Sequence, residues 1–151
     1  MKSFAVVISL AGLVACSGTD HHPDRPASAV TFDGSDAVLY VDVADTALEQ
    51  QKGLMGVELL PEDEGMAFVF DEPSTTTFWM KDTLIPLSIA FVDDSGRMIG
   101  VRDMEPCEAD PCPTYGIDLP FVLAIEANLG WFDRAGIEVG DHAELSVSAY
   151  G

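Results

Sequence analysis

The sequence predicts a mainly β domain with two short helices, folded as a small closed or nearly closed, mostly antiparallel β-barrel. Three observations carry this. About seven short apolar or alternating runs are bounded by Gly, Pro, Asp or Asn at the spacing of an all-β domain. Only residues 46–52 and 129–135 carry helix start and stop signals. Tight turns join neighbouring runs, and small antiparallel sheets remove their edges by closing. At 151 residues the chain accommodates one domain plus a tail, and it shows no internal repeat.

Taken in order, residues 38–44 nearly alternate apolar and polar, which reads as the first strand. Asp45 and Thr46 offer a cap, and Thr46-x-x-Glu49 fits the capping box of a helix over 46–52. Gly53 and Gly56 bracket Leu54-Met55, ending that helix and permitting close backbone approach. The acidic Glu62-Asp63-Glu64 lacks the alternating ligands and closing Glu of an EF-hand loop, so a solvated loop is favoured over a calcium site. Residues 66–70 form a continuous apolar run, hence a buried strand, and 71–75 a connection. Strands follow over 77–81 and 87–93; Asp94-Ser95-Gly96 turns the chain back along 97–102, making 87–102 a hairpin. Residues 121–126 are the most apolar strand of the second half. Asn128 is a cap for the helix 129–135, Gly136 its left-handed terminator, and 142–149 the last strand.

The N-terminus carries an address. Lys2 is a positive n-region, residues 4–10 are an apolar core too short to span a bilayer, and Leu13-Val14-Ala15-Cys16 ends a small-residue cleavage site in cysteine. This resembles the lipobox of bacterial lipoproteins. The resemblance implies a signal peptide over 1–15, cleavage before Cys16 and lipidation of that residue. Ser17 after it implies an exported lipoprotein at the outer membrane, facing the periplasm. Residues 16–36 are polar, contain His21 and His22, and read as a flexible tether; residues 37–151 are the domain.

Seven Lys and Arg stand against 26 Asp and Glu, a formal net charge of −19. Nucleic acid and anionic head groups are poor partners for such a chain. The membrane contact expected is the N-terminal lipid, and the domain is expected to be a monomer. With Cys16 assigned to the lipid, Cys107 and Cys112 remain in a compartment where disulfides persist, and only one pairing is available. The bridge closes a short loop already stiffened by Pro106, Pro111 and Pro113, so it fixes a loop and not the fold. The spacing fits neither a thioredoxin-like centre nor a zinc site, and no metal or cofactor is expected.

The chemistry concentrates between residues 78 and 89. Phe78, Trp79 and Met80 run into Lys81, Asp82 and Thr83, an order that delivers a charged turn at the end of an aromatic strand. The turn reads either as a plain hairpin end or as the lip of a pocket where aromatic and Met surface meets a few oriented polar groups. Met55, Tyr115, Glu126, Asn128 and Trp131 are the other candidates for the same ligand-binding constellation. Each also has a structural reading: Glu126 paired with Lys81 or Arg134, Asp82 accepting backbone bonds in its turn, Trp131 plugging the barrel end. No phosphate loop, nucleophile elbow, zinc-protease helix or dinucleotide fingerprint is present, which removes the commonest enzyme classes.

Several motifs then fall in a recognisable order: Gly53-Leu54-Met55-Gly56, Gly65-Met66-Ala67-Phe68-Val69-Phe70, Phe78-Trp79-Met80 with Thr83 and Ile85-Pro86-Leu87, Pro113-Thr114-Tyr115, Ala127-Asn128 before Gly130-Trp131, and Gly140-Asp141. Together, across 38–147, they resemble the prokaryotic family known as domain of unknown function 192. The resemblance implies a compact, largely antiparallel β fold, often on exported proteins, with no established activity. The chain departs from the family's usual pattern at Asp82, where Asn is common, and at Ser88, where Asp is common; Ser88 removes a base outright. The reading that follows is an envelope lipoprotein whose β domain binds a small molecule or peptide segment at an aromatic and Met-lined pocket. The alternatives are a hydrolase or lyase using Glu126 with Asp82 or Lys81, and an envelope assembly accessory docking on a partner protein.

Overall fold

The computed structural model describes residues 25–148. The expected signal peptide, Cys16, the histidine pair and most of the expected tether lie outside the described residues. The chain runs β1 (Ser28–Phe32), β2 (Val38–Ala44), α1 (Ala47–Lys52), β3 (Glu64–Ser74), β4 (Phe78–Trp79), β5 (Leu87–Val92), β6 (Met98–Met104), β7 (Thr114–Tyr115), β8 (Phe121–Asn128), α2 (Trp131–Arg134) and β9 (Ala143–Ser146). Seven strands make one sheet in the order β6-β5-β8-β3-β2-β1-β9, and β4 pairs with β7 in a separate ribbon. All neighbours in the large sheet are antiparallel except β2 and β3, whose parallel pairing is allowed by the crossover through α1.

The sheet curls into a half-barrel. Met98 of β6 and Ala143 of β9 come from opposite ends of the strand order, yet they share one core cluster with Val30, Leu39, Ala67, Ala90 and Ile125. The two edges meet at one end only: Met98 N–H donates to the Asp141 carbonyl at 2.9 Å, Gly140 N–H to that of Met98 at 2.9 Å, and Ala143 N–H to that of Gly96 at 2.9 Å. Trp131 and Phe132 of α2 fill this core, with Phe32 5.8 Å from the Trp131 ring centre. Trp131 is thus the plug of the barrel end, and its indole N–H is satisfied by the Asp63 carboxylate at 3.0 Å.

A second cluster covers the outer face. Strand residues alternate between faces, so β5 sends Leu87, Ile89 and Phe91 outward while Ala90 and Val92 face the enclosed core. All six of its residues are buried, which is why it reads as an unbroken apolar run. The outer cover is built from Leu54 in the turn after α1, Met80 and the β4-β7 ribbon, with Phe78 edge-on to Phe68 at 5.1 Å and to Phe91 at 5.9 Å. Cys107 and Cys112 are joined, as the spacing predicts, and the loop they close is tied to the end of β4 by Lys81, whose ammonium donates to both Asp110 oxygens at 2.9 and 2.8 Å.

Four expectations need correction. Residues 71–74 continue β3 instead of forming a connection. The tether ends earlier than residue 36, because Ser28–Phe32 is a strand between β2 and β9, its Val30 and Phe32 facing the core. The strand expected over 77–81 shrinks to Phe78–Trp79, since Met80 turns into the core and Thr83 N–H closes a turn on the Met80 carbonyl at 3.2 Å. Asn128 caps no helix: α2 begins after Gly130, which is left-handed, and the Asn128 amide instead donates to the Leu60 and Pro61 carbonyls at 3.1 and 2.9 Å.

Because β1 supplies the pairing for both β2 and β9, a chain starting at Asp36 is expected to lose cooperative thermal unfolding that the full chain shows. An unchanged transition by circular dichroism would mean that β1 is dispensable.

Candidate functional site

The site is assembled from the outward face of the sheet and its cover. Across the centre of the sheet, Glu126 of β8 pairs with Met66 of β3 on one side and Ile89 of β5 on the other. Gly65 lets β3 come this close to β8, since a Cβ there would run into the Glu126 carbonyl oxygen. Glu126 is only 5% exposed. Neither Lys81 nor Arg134 reaches it: Lys81 is held by Asp110, and Arg134 donates to the Leu129 carbonyl at 2.8 Å. Among the described residues its carboxyl has no hydrogen-bond or ion-pair partner. Burial alone pushes its pKa up to about 8, because the charged form loses water and gains nothing in exchange.

Above Glu126 lies a cleft of about 460 Å³. The sheet gives Phe68, Phe70 and Glu126; α1 and its terminal turn give Gln50, Lys52, Leu54 and Met55; residues 74–79 give Ser74, Thr76, Thr77, Phe78 and Trp79; and Thr83 completes the lining. The local sequence explains the walls. The capping box is complete, Thr46 accepting from Glu49 N–H at 3.3 Å while the Glu49 carboxylate accepts from Thr46 N–H at 3.1 Å. Gln50 Nε2 then ties α1 to the Val69 carbonyl at 2.8 Å. Gly53 ends the helix at φ +46°, and this backbone conformation, not lack of space, is what calls for glycine. Phe78 anchors β4 by its ring contacts, and the alternation of the strand turns Trp79 to the rim, 49% exposed.

Of the residues singled out from the sequence, Met55, Phe78, Trp79, Thr83 and Glu126 converge on this cleft. The others do not. Met80 is a core residue at 1% exposure, and Trp131 packs in the enclosed core on the far side of the sheet. Lys81 and Asp82 stand on the outer slope of the rim, in a shallow groove that shares Lys52, Met55 and Trp79 with the cleft. Tyr115 lies by the disulfide loop, its hydroxyl accepting from Glu105 N–H at 3.3 Å, and Asn128 lines a separate hollow with Leu60 and Arg134. Residues missed from the sequence are Gln50, Lys52, Leu54, Phe68, Phe70, Ser74, Thr76 and Thr77. Gln50 and Lys52 lie on α1 and Leu54 in the turn after it, while Phe68 and Phe70 joined them only through strand pairing and residues 74–77 through the end of β3 and the link to β4.

The two departures from the family pattern acquire structural roles. Asp82 sits at φ +54°, a left-handed backbone that Asn and Asp tolerate alike, and its carbonyl accepts from Gly56 N–H at 2.9 Å. Its backbone thereby joins the turn after β4 to the turn after α1. Ser88 is buried on the enclosed side of β5, where its hydroxyl donates to Asp103 at 2.6 Å and accepts from Gly130 N–H at 2.9 Å. It positions the start of α2, on the opposite face of the sheet from Glu126.

A carboxyl with a raised folded pKa makes stability fall as pH rises. Below about 4.5 Glu126 is protonated in both states; between there and about 8 the unfolded chain releases a proton that the folded chain keeps. Glu126 is therefore expected to cost up to about 1.4 kcal/mol per pH unit across that window. Urea unfolding of the full chain in high salt, which screens the surface acids, should show this slope, and Glu126→Gln should remove it. Parallel pH profiles for the two proteins would contradict the assignment.

No curated protein matches this chain. Among solved structures, a protein of unknown function from Novosphingobium aromaticivorans DSM 12444 is 34% identical with a TM-score of 0.70, the match covering 77% of this chain and 83% of that one. Another, from Sinorhizobium meliloti 1021 and described as a candidate transcription regulator, is 25% identical with a TM-score of 0.68, over 80% and 95% of the two chains. The family model DUF192, Uncharacterized ACR, matches residues 28–145, beginning with β1 and ending within β9. The chain belongs to the DUF192 family.

Proposed function

We propose that this chain is an envelope lipoprotein, anchored through Cys16, whose β domain binds a small molecule or a short peptide segment in the cleft over Glu126. The observation that carries the binding reading is a buried carboxyl, unpartnered among the described residues, on the floor of a cleft with aromatic and Met walls. Sites for small ligands combine these features: apolar surface for contact area and a few polar groups for orientation. Phe68, Phe70 and Phe78 supply the first, and Glu126, Thr77, Thr83 and Gln50 the second. A net charge of −19 argues against nucleic acid as the partner.

Catalysis by Glu126 with Asp82 or Lys81 finds less support, because neither of those side chains lines the cleft. One observation does favour acid-base chemistry as the second reading: a carboxyl whose pKa lies at about 8 can exchange a proton near neutral pH. A ligand that binds without being transformed separates the two.

A thermal-shift screen of the full chain against periplasmic metabolites and short peptides tests the binding reading. A ligand at a hundredfold excess over its Kd contributes about 2.7 kcal/mol of stability. Trp79→Ala is expected to weaken that shift while costing well under the roughly 3–5 kcal/mol of a buried ring, since Trp79 is half exposed. Silence across the set would sink the reading and turn attention to a partner protein docking on the rim.

A further inference from the structure

Glu126 is the chemical centre of the cleft, and its surroundings define what it can accept. Its cross-strand neighbours, Met66 and Ile89, offer no hydrogen bond. The neutral polar side chains of the lining are hydroxyls and amides, among them those of Thr77, Thr83 and Gln50. The other charged side chain on the lining is Lys52, exposed at the end of α1 and thus at the mouth.

We propose that the cleft takes a small ligand whose compact cationic end, a primary ammonium or a guanidinium, pairs with the Glu126 carboxylate while an apolar body lies against Phe68, Phe70 and Phe78. This rests on the binding reading above and names its ligand class. An anionic ligand would find a single O–H donor on the protonated carboxyl and a like charge once that proton leaves, and a purely apolar one would leave the carboxyl unpartnered. The cationic end is the group that supplies several hydrogen-bond donors and the opposite charge at once. The acidic surface also raises the local concentration of cations, which favours their capture.

Binding is coupled to a proton. Burial keeps Glu126 protonated below about pH 8, so a cation docking there displaces the proton to solvent. The carboxyl O–H bond breaks, its electron pair stays on the carboxylate, the proton passes to water, and no covalent bond to the ligand forms. The elements packed on Glu126 bring one charged group to the cleft: β3, β5 and β4 contribute none, α1 contributes Lys52, and Asp82 and Lys81 lie on the outer slope. Lys52 disfavours a second cationic group at the mouth.

Three probes of similar size decide the matter: benzylamine, benzyl alcohol and benzoate, titrated into the full chain by calorimetry at several pH values and in buffers of different ionisation enthalpy. The amine is expected to bind, to release about one proton, and to gain about tenfold in affinity per pH unit below the pKa of Glu126. The alcohol should bind at least about tenfold more weakly, the scale of one lost charge-assisted pair, and benzoate should not bind. Glu126→Gln should erase both the preference for the amine and its pH dependence. If that variant fails to fold, the charge series on the native chain decides alone. Benzoate or the alcohol binding as tightly as the amine, or an amine affinity indifferent to pH, would overturn the cation assignment while leaving a binding cleft. No binding by any probe would overturn it too, and the broad metabolite screen then reports separately whether the cleft binds anything.

Discussion

The central strands β3, β5 and β8 have two faces to bury, and one sheet can bury only one of them by curling on itself. The enclosed face solves its problem internally, with edge strands β6 and β9 brought together at one end and α2 dropped in as a plug. The outer face needs a separate cover, and the chain makes it from short pieces: one and a half turns of helix, a glycine-bracketed turn and a two-residue ribbon held by a disulfide loop. Pieces this small cannot seal a surface completely. The opening falls over Glu126, on β8 between β5 and β3, where a charged group is hardest to solvate.

The cover's parts depend on one another. Gly56 N–H meets the Asp82 carbonyl, Lys81 meets Asp110, and Gln50 meets the Val69 carbonyl, so the turn after α1, the turn after β4, the disulfide loop and the sheet form one frame around the cleft. The surface ion pair adds little energy by itself. Its contribution is geometric, holding the end of β4 so that Phe78 stays docked and Trp79 stays at the rim. A cleft framed by backbone bonds and packed rings is largely formed before a ligand arrives, which lowers the ordering cost of binding.

Much of this was legible in the sequence because it is local. The capping box at Thr46 and Glu49, the hairpin around Asp94-Ser95-Gly96 and the pairing of Cys107 with Cys112 each follow from residues a few positions apart. β1 was missed because five residues with a readable alternation, Ser28 to Phe32, lie within a Pro- and Gly-containing polar stretch whose composition dominates the reading. Asn128 was misread as a cap because its true partners, the carbonyls of Leu60 and Pro61, lie far back in the chain. The site suffered the same limit. Trp131 and Glu126 are five residues apart, yet the curl of the sheet and the entry of α2 put them on opposite faces. Phe68 and Thr77 became cleft neighbours only by pairing and crossover that no local pattern states.

The central claim is that Glu126, unpartnered among the described residues, is a carboxyl held neutral by burial at the floor of this cleft. Carbon-13 NMR titration of its side-chain carboxyl in the full chain tests this directly, with Glu126→Gln identifying the resonance. The account predicts a midpoint at about 8; a midpoint at the ordinary carboxylate value near 4.5 would contradict it.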